Sequence, residues 1–145
     1  MDPVTLVVIL AVNLVCVGGL FHLIGRGMPR GSGLPYWSVG AVLFGLAYVA
    51  RLAAGLYNPQ GWMLLLDAAM LLAALLFITG LRQFLGRVAP SPQRIALLVA
   101  LFLVAQAIVS SAFGQGGRYA LLNGALGLAY AVLALDNLRA LPAED

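Results

Sequence analysis

Lysine is absent from this chain and charge of either sign is scarce. Only 9% of its 145 residues are charged, and 63% are hydrophobic. A soluble domain has about 25% charged and about 45–50% apolar residues, enough to lay a hydrated shell over one core. A chain this poor in charge cannot build that shell, which excludes a water-soluble globular domain and makes the bilayer its solvent. The single cysteine, Cys16, rules out an intrachain disulfide or a multi-cysteine metal site. The single histidine, His22, rules out a bis-histidine haem or a His-rich centre built from one chain. A net charge of +3 would hint at nucleic acid in a soluble protein, but arginines flanking membrane spans report topology instead, so no nucleic-acid partner is expected. The glycines after the first apolar run lack the Gly-Lys-Ser/Thr ending of a phosphate loop. No paired carboxylates flank a cleft, and no nucleophile stands beside a base. The expectation is a non-enzymatic protein without metal or cofactor.

What the chain does have is long apolar runs. A hydrocarbon core of about 30 Å takes about 20 apolar residues per helix. Five stretches meet or approach this, at residues 4–24, 38–57, 62–84, 94–113 and 119–138. They predict an all-α integral membrane bundle of five transmembrane helices forming one domain over residues 1–145. Met1-Asp2-Pro3 carries no positive charge and the run behind it lacks an Ala-x-Ala-like exit, so the first helix reads as retained rather than cleaved. Tyr36-Trp37 and Trp62 read as aromatic anchors at the membrane interface. Asn58-Pro59-Gln60-Gly61 is a turn sequence that makes the second and third helices an antiparallel hairpin. Ser91-Pro92 supplies an N-cap and a first helical residue. Gly114-Gln115-Gly116-Gly117-Arg118 reads as a loop, and Leu141 to Asp145 as a tail.

Orientation follows from the arginines. With the N-terminus outside, Arg26, Arg30, Arg82, Arg87, Arg94 and Arg139 lie inside and only Arg118 lies outside. The C-terminus is then cytoplasmic. The arginine-only, Ala-, Leu- and Gly-rich composition points to a GC-rich bacterial genome, hence a multi-pass protein of the bacterial inner membrane.

Ionisable groups in hydrocarbon cost roughly 2.5–3.5 kcal/mol on insertion scales, which makes intramembrane polar residues the functional candidates. Asn13, Cys16 and His22 fall on the first run, Arg51 on the second, Asp67 on the third, Gln106 on the fourth, and Asn123 and Asp136 on the fifth. Arg51 lies six residues before Tyr57 and Asp67 five after Trp62, so at 1.5 Å per residue they sit roughly 9 and 7.5 Å from the same end of the hairpin. Matched depth and opposite charge predict an Arg51–Asp67 pair, the alternative being that Arg51 snorkels outward and Asp67 is protonated. Gln106, Asn123 and Tyr48 are candidates for a polar pocket around it. Asp136 is expected to pair with Arg139 at the headgroups. Ala120, Gly124, Ala125, Gly127, Ala129 and Ala131 form small-residue faces suited to close helix contact with a protein partner or a second copy, beside membrane lipid.

The opening Asp2-Pro3-Val4-Thr5-Leu6, the stretch Gly33-Leu34-Pro35-Tyr36-Trp37 and the stretch Gly80-Leu81-Arg82-Gln83-Phe84-Leu85-Gly86-Arg87 together resemble the N-terminal membrane region of bacterial GGDEF-type diguanylate cyclases. The resemblance covers roughly residues 1–90, and the chain contains no GGDEF sequence, so cyclase activity does not carry over. What it implies is a membrane-embedded sensory or regulatory module responding to a small or lipid-like signal. Two other readings stay open: a small accessory subunit of a larger membrane complex, and a small oligomeric transporter using Asp67 as a proton-linked carboxylate.

Overall fold

The structure is a computed structural model and describes residues 2–29, 31–57 and 60–139. Arg30, the Asn58-Pro59 half of the expected turn and the expected tail lie outside the described residues. The described residues form four helices: α1 (Pro3–Gly25), α2 (Leu34–Tyr57), α3 (Gln60–Phe84) and α4 (Pro92–Leu138). All four are long and apolar enough to cross a membrane, and no strand occurs among the described residues. The chain is a helical bundle built for multi-pass insertion.

Helix starts follow local chemistry. The Asp2 carboxylate accepts from the Thr5 backbone N–H at 3.4 Å and opens α1. The Ser91 hydroxyl accepts from the Arg94 N–H at 3.3 Å and opens α4. Each satisfies one donor that a helix N-terminus otherwise leaves unpaired. α2 begins at Leu34, four residues before the expected start. Gly33 takes φ 74°, a left-handed conformation that turns the chain into the helix. Its carbonyl then accepts from the N–H groups of Tyr36 and Trp37 at 3.1 and 3.2 Å. Trp37 is therefore inside the bundle rather than only an interface anchor. Its indole N–H donates to the Phe77 carbonyl at 3.1 Å, and its ring lies 5.8 Å from both Phe21 and Phe84. Trp62, by contrast, is exposed.

The main departure is α4, whose 47 residues would measure about 70 Å if straight. It is broken at Gly114, with φ 63° and ψ −152°, a conformation essentially confined to glycine. Beyond that residue the chain doubles back. Leu98 of the first arm lines the same cavity as Leu128 and Val132 of the second, and Asp136 returns to the Arg82 end of α3. The expected five-residue loop shrinks to this one residue, because Gly116 and Gly117 weaken a helix by about 1 kcal/mol each without forbidding it. Arg118 is consequently helical.

α3 is the central element, buried at Ala68, Met70, Leu71, Ala73, Ala74, Ile78 and Leu81. It packs against α2 and α4, while α1 packs on α2 alone among the described residues. On the second arm of α4 the buried residues are Arg118, Leu122, Leu126, Ala129 and Asp136, a helical stripe with charge at both ends. The two ends fasten to α3 at Asp67 and at Arg82, so this arm runs parallel to α3.

Candidate functional site

The Asp67 carboxylate is wholly buried and meets two guanidiniums. Arg51 Nη1 of α2 lies 3.0 Å from Oδ1, and Arg118 Nε of α4 lies 3.2 Å from Oδ2. The first contact follows from the hairpin, which sets both residues at the same depth. The second follows from the break at Gly114, four residues before Arg118, which starts the returning arm at that level. Tyr119, itself exposed, meets both cations. Its ring centroid is 4.9 Å from the Arg51 guanidinium carbon and 5.0 Å from that of Arg118, attractive contacts between cation and π-face that strengthen when water is excluded. Arg51 Nη1 also approaches Met70 Sδ at 3.6 Å.

Gln106, from the first arm of α4, is wholly buried beside the same carboxylate. The cluster is nevertheless short of hydrogen bonds. The amide atoms of Gln106, the Asp67 oxygens and Arg118 Nε are buried without a well-aligned hydrogen bond, so the two ion pairs are close in distance but poorly aligned. Buried polar atoms are paired in the great majority of cases, so loosely aligned contacts of this kind are unusual inside a bundle. On the open side of Arg51 is a cleft of about 320 Å³ lined by Val7, Tyr48, Arg51, Leu52, Met63 and Tyr119.

Of the residues singled out from sequence, Arg51, Asp67 and Gln106 come together and Tyr48 lines the adjoining cleft. Asn123 does not join them. It is exposed, because Arg118 and Leu122, four residues apart, define the buried face and Asn123 is turned about 100° from it. Cys16 and His22 are exposed on α1, and Asn13 satisfies its own amide by donating to the Ile9 carbonyl at 2.9 Å. Arg118 and Tyr119 are the members of the cluster that sequence reasoning did not place there. Their signal was present in the spacing of Arg118, Leu122, Leu126 and Ala129, which is helical, but the glycines before Arg118 masked it. Among the described residues no group of three or more His, Cys, Asp or Glu gathers into a metal-binding set.

A second ionic cluster closes the opposite end. Asp136 Oδ2 accepts from Arg82 Nε at 2.7 Å, and Oδ1 lies 3.5 Å from Arg87 Nη1. Arg87 also donates to the carbonyls of Asp136 and Arg139 at 3.2 and 3.0 Å. The expected local pair of Asp136 with Arg139 is thus corrected. Asp136 lies on the buried face and reaches the end of α3, and among the described residues Arg139 joins the cluster through its carbonyl. With both arginines about one-third exposed, Asp136→Asn should lower stability by about 1 kcal/mol, less in high salt. Arg139→Ala should stay within about 0.5 kcal/mol of the parent. Thermal unfolding in detergent measures both, and a larger loss for Arg139→Ala would contradict the assignment.

The start of α2 and the end of α3 face each other. Gly33 and Gly80 touch backbone to backbone, with Trp37 against Phe84 beside them. Comparison of the whole chain with protein-family models, curated proteins and solved structures finds no match.

Proposed function

We propose that this chain is a non-enzymatic, membrane-embedded sensory or regulatory module whose signal site is the Asp67 cluster. The observation that carries this is one buried carboxylate holding two separate helices to α3, namely α2 through Arg51 and the second arm of α4 through Arg118. A group that binds there changes the attraction among all three at once. It shifts the arrangement of the helices by as much as its affinity differs between their alternative packings. The likeness to membrane regions of diguanylate cyclases supports an output delivered through a cytoplasmic domain or a partner.

In this reading each arm of α4 crosses the bilayer, giving five spans in the bacterial inner membrane, N-terminus outside and C-terminus cytoplasmic. Arg118 is occupied by Asp67 and no longer counts as an outer-loop arginine, which sharpens the inward bias of Arg26, Arg82, Arg87, Arg94 and Arg139.

A second reading, an accessory subunit of a larger membrane complex, is favoured by a different observation. A Cβ added at Gly124 or Gly127 would meet nothing within 4 Å, and Ala120, Ala131 and Ala134 are exposed on the same arm. A small-residue face left open within the chain admits close approach of another helix. Purification from native membranes in mild detergent separates the two. The sensor reading expects the chain alone, self-associated or with a signalling partner, and stoichiometric recovery with a respiratory or photosynthetic complex would overturn it.

A further inference from the structure

We propose that the cleft beside Asp67 binds an amphiphilic monoanion, a singly charged oxyanion carried on an aliphatic chain. This rests on the reading of the Asp67 cluster as the signal site and names the chemistry that site would recognise. Charge counting leads to it. Two guanidiniums, Arg51 and Arg118, face one carboxylate, Asp67, which leaves one positive charge unmatched in a region where unmatched charge is costly. The other acid at this end among the described residues, Asp2, caps the start of α1 through Thr5 instead.

The excess charge has an outlet on one side only. The Arg118 side chain is 5% exposed, whereas that of Arg51 is 19% exposed and forms a wall of the cleft. A guanidinium has five donors in a planar fork, and Arg51 directs Nη1 at Asp67, so the fork keeps donors for an oxyanion. Around that cation the walls are Val7, Leu52 and Met63, apolar, and Tyr48 and Tyr119, apolar bodies with hydroxyl tips. This is the lining an aliphatic chain with an anionic head requires. A cationic ligand would be repelled, and the Tyr119 ring that could stack on it is already shared by two guanidiniums. A neutral ligand would leave the charge unmatched. At about 320 Å³ the cleft is at the small end of ligand sites. It admits a head and the first part of a chain, with the remainder lying among lipid tails.

Two sources share this chemistry, a free fatty acid and an anionic phospholipid, and the test distinguishes them. The full chain is reconstituted in nanodiscs of phosphatidylcholine, and thermal unfolding is followed at alkaline pH against dodecanoate, dodecanol and dodecylamine. Dodecanoate should raise the midpoint saturably, as a ligand of the folded state does. Dodecanol should act at least about tenfold more weakly, and dodecylamine should not stabilise at all. In phosphatidylglycerol nanodiscs the dodecanoate shift persists if free acids are the ligand, and disappears into a raised baseline if the phospholipid occupies the site. Because Arg51→Gln disturbs the ion pairs as well, the decisive variants are Met63→Trp and Leu52→Phe, which fill the cleft without touching a charge. Each should weaken the dodecanoate effect by at least about tenfold. Equal shifts with dodecanoate and dodecanol, or an undiminished dodecanoate shift in both variants, overturn the proposal. Dodecanoate binding by a chain that purifies within a large complex would sink the sensor reading alone. A chain that purifies free and ignores oxyanions would sink this inference alone.

Discussion

Asp67→Asn is expected to cost about 3–5 kcal/mol of stability, because it strands two guanidiniums in a site with little access to water. The size of the effect identifies its cause. Hydrogen-bond couplings between membrane helices average about 0.6 kcal/mol and reach about 1.7, so a larger loss belongs to uncompensated charge. The double variant Arg51→Gln/Asp67→Asn is the informative one. For a simple pair it should be milder than either single change, since nothing is left unmatched. Here Arg118 remains, its side chain 5% exposed and without its carboxylate, so the double variant recovers only part of the loss. Adding Arg118→Met should recover most of the remainder, in the way that apolar replacement of a whole buried ionic cluster is tolerated. Unfolding equilibria in mixed detergent micelles give all the values needed for the cycle, where groups in contact couple by about 0.5–3 kcal/mol. Strictly additive effects of Arg51→Gln and Asp67→Asn would sink the pairing, and a double variant as stable as the parent would remove Arg118 from the cluster.

Gly33→Ala should be comparably damaging for a different reason. At φ 74° any residue with a Cβ is strained by about 1–2 kcal/mol. The added carbon would also run into the Gly80 backbone, which α3 holds in place and which cannot swing aside as a side chain can. Strain and overlap together should exceed about 3 kcal/mol, as overpacking adds about 1–3 kcal/mol on its own. Gly31 separates the two contributions. It has φ 111°, and a methyl carbon added there would meet nothing within 4 Å, so Gly31→Ala should lose only the backbone part, about 1–2 kcal/mol. The same unfolding measurement compares them, and tryptophan emission adds a second readout, since Trp37 sits on Gly80 and would be pushed from its bond to the Phe77 carbonyl. Equal losses for the two alanine variants would mean that α2 and α3 do not meet at Gly33 and Gly80.

Much of this protein is legible in its sequence because it depends on counts and on short-range geometry. Charge too scarce for a soluble surface requires a bilayer, and apolar runs of about 20 residues require helices that cross it. The Arg51–Asp67 contact belongs to the same class. Rise per residue and a short turn fix the depth of both side chains, and depth is the coordinate that matters for a charge in a membrane. Ser91-Pro92 is likewise local, since the cap and the helix start are neighbours in sequence. Which way each helix faces is another matter. In water an amphipathic stripe orients a helix, but the last arm of α4 is apolar on nearly every side, and lipid rewards burial and exposure of such residues alike. Its rotation is therefore set by packing against α3 and by the ion pairs at its ends. That rotation turns Arg118 inward and Asn123 outward, and carries Asp136 to Arg82, a residue 54 positions away, rather than to its helical neighbour Arg139. Composition and spacing determined that this is a helical membrane protein with a charged pair at matched depth. The third member of the cluster, its shared aromatic ring and the unmatched positive charge were decided by tertiary structure, because only the packed arrangement fixes the rotation of a helix that is apolar all round.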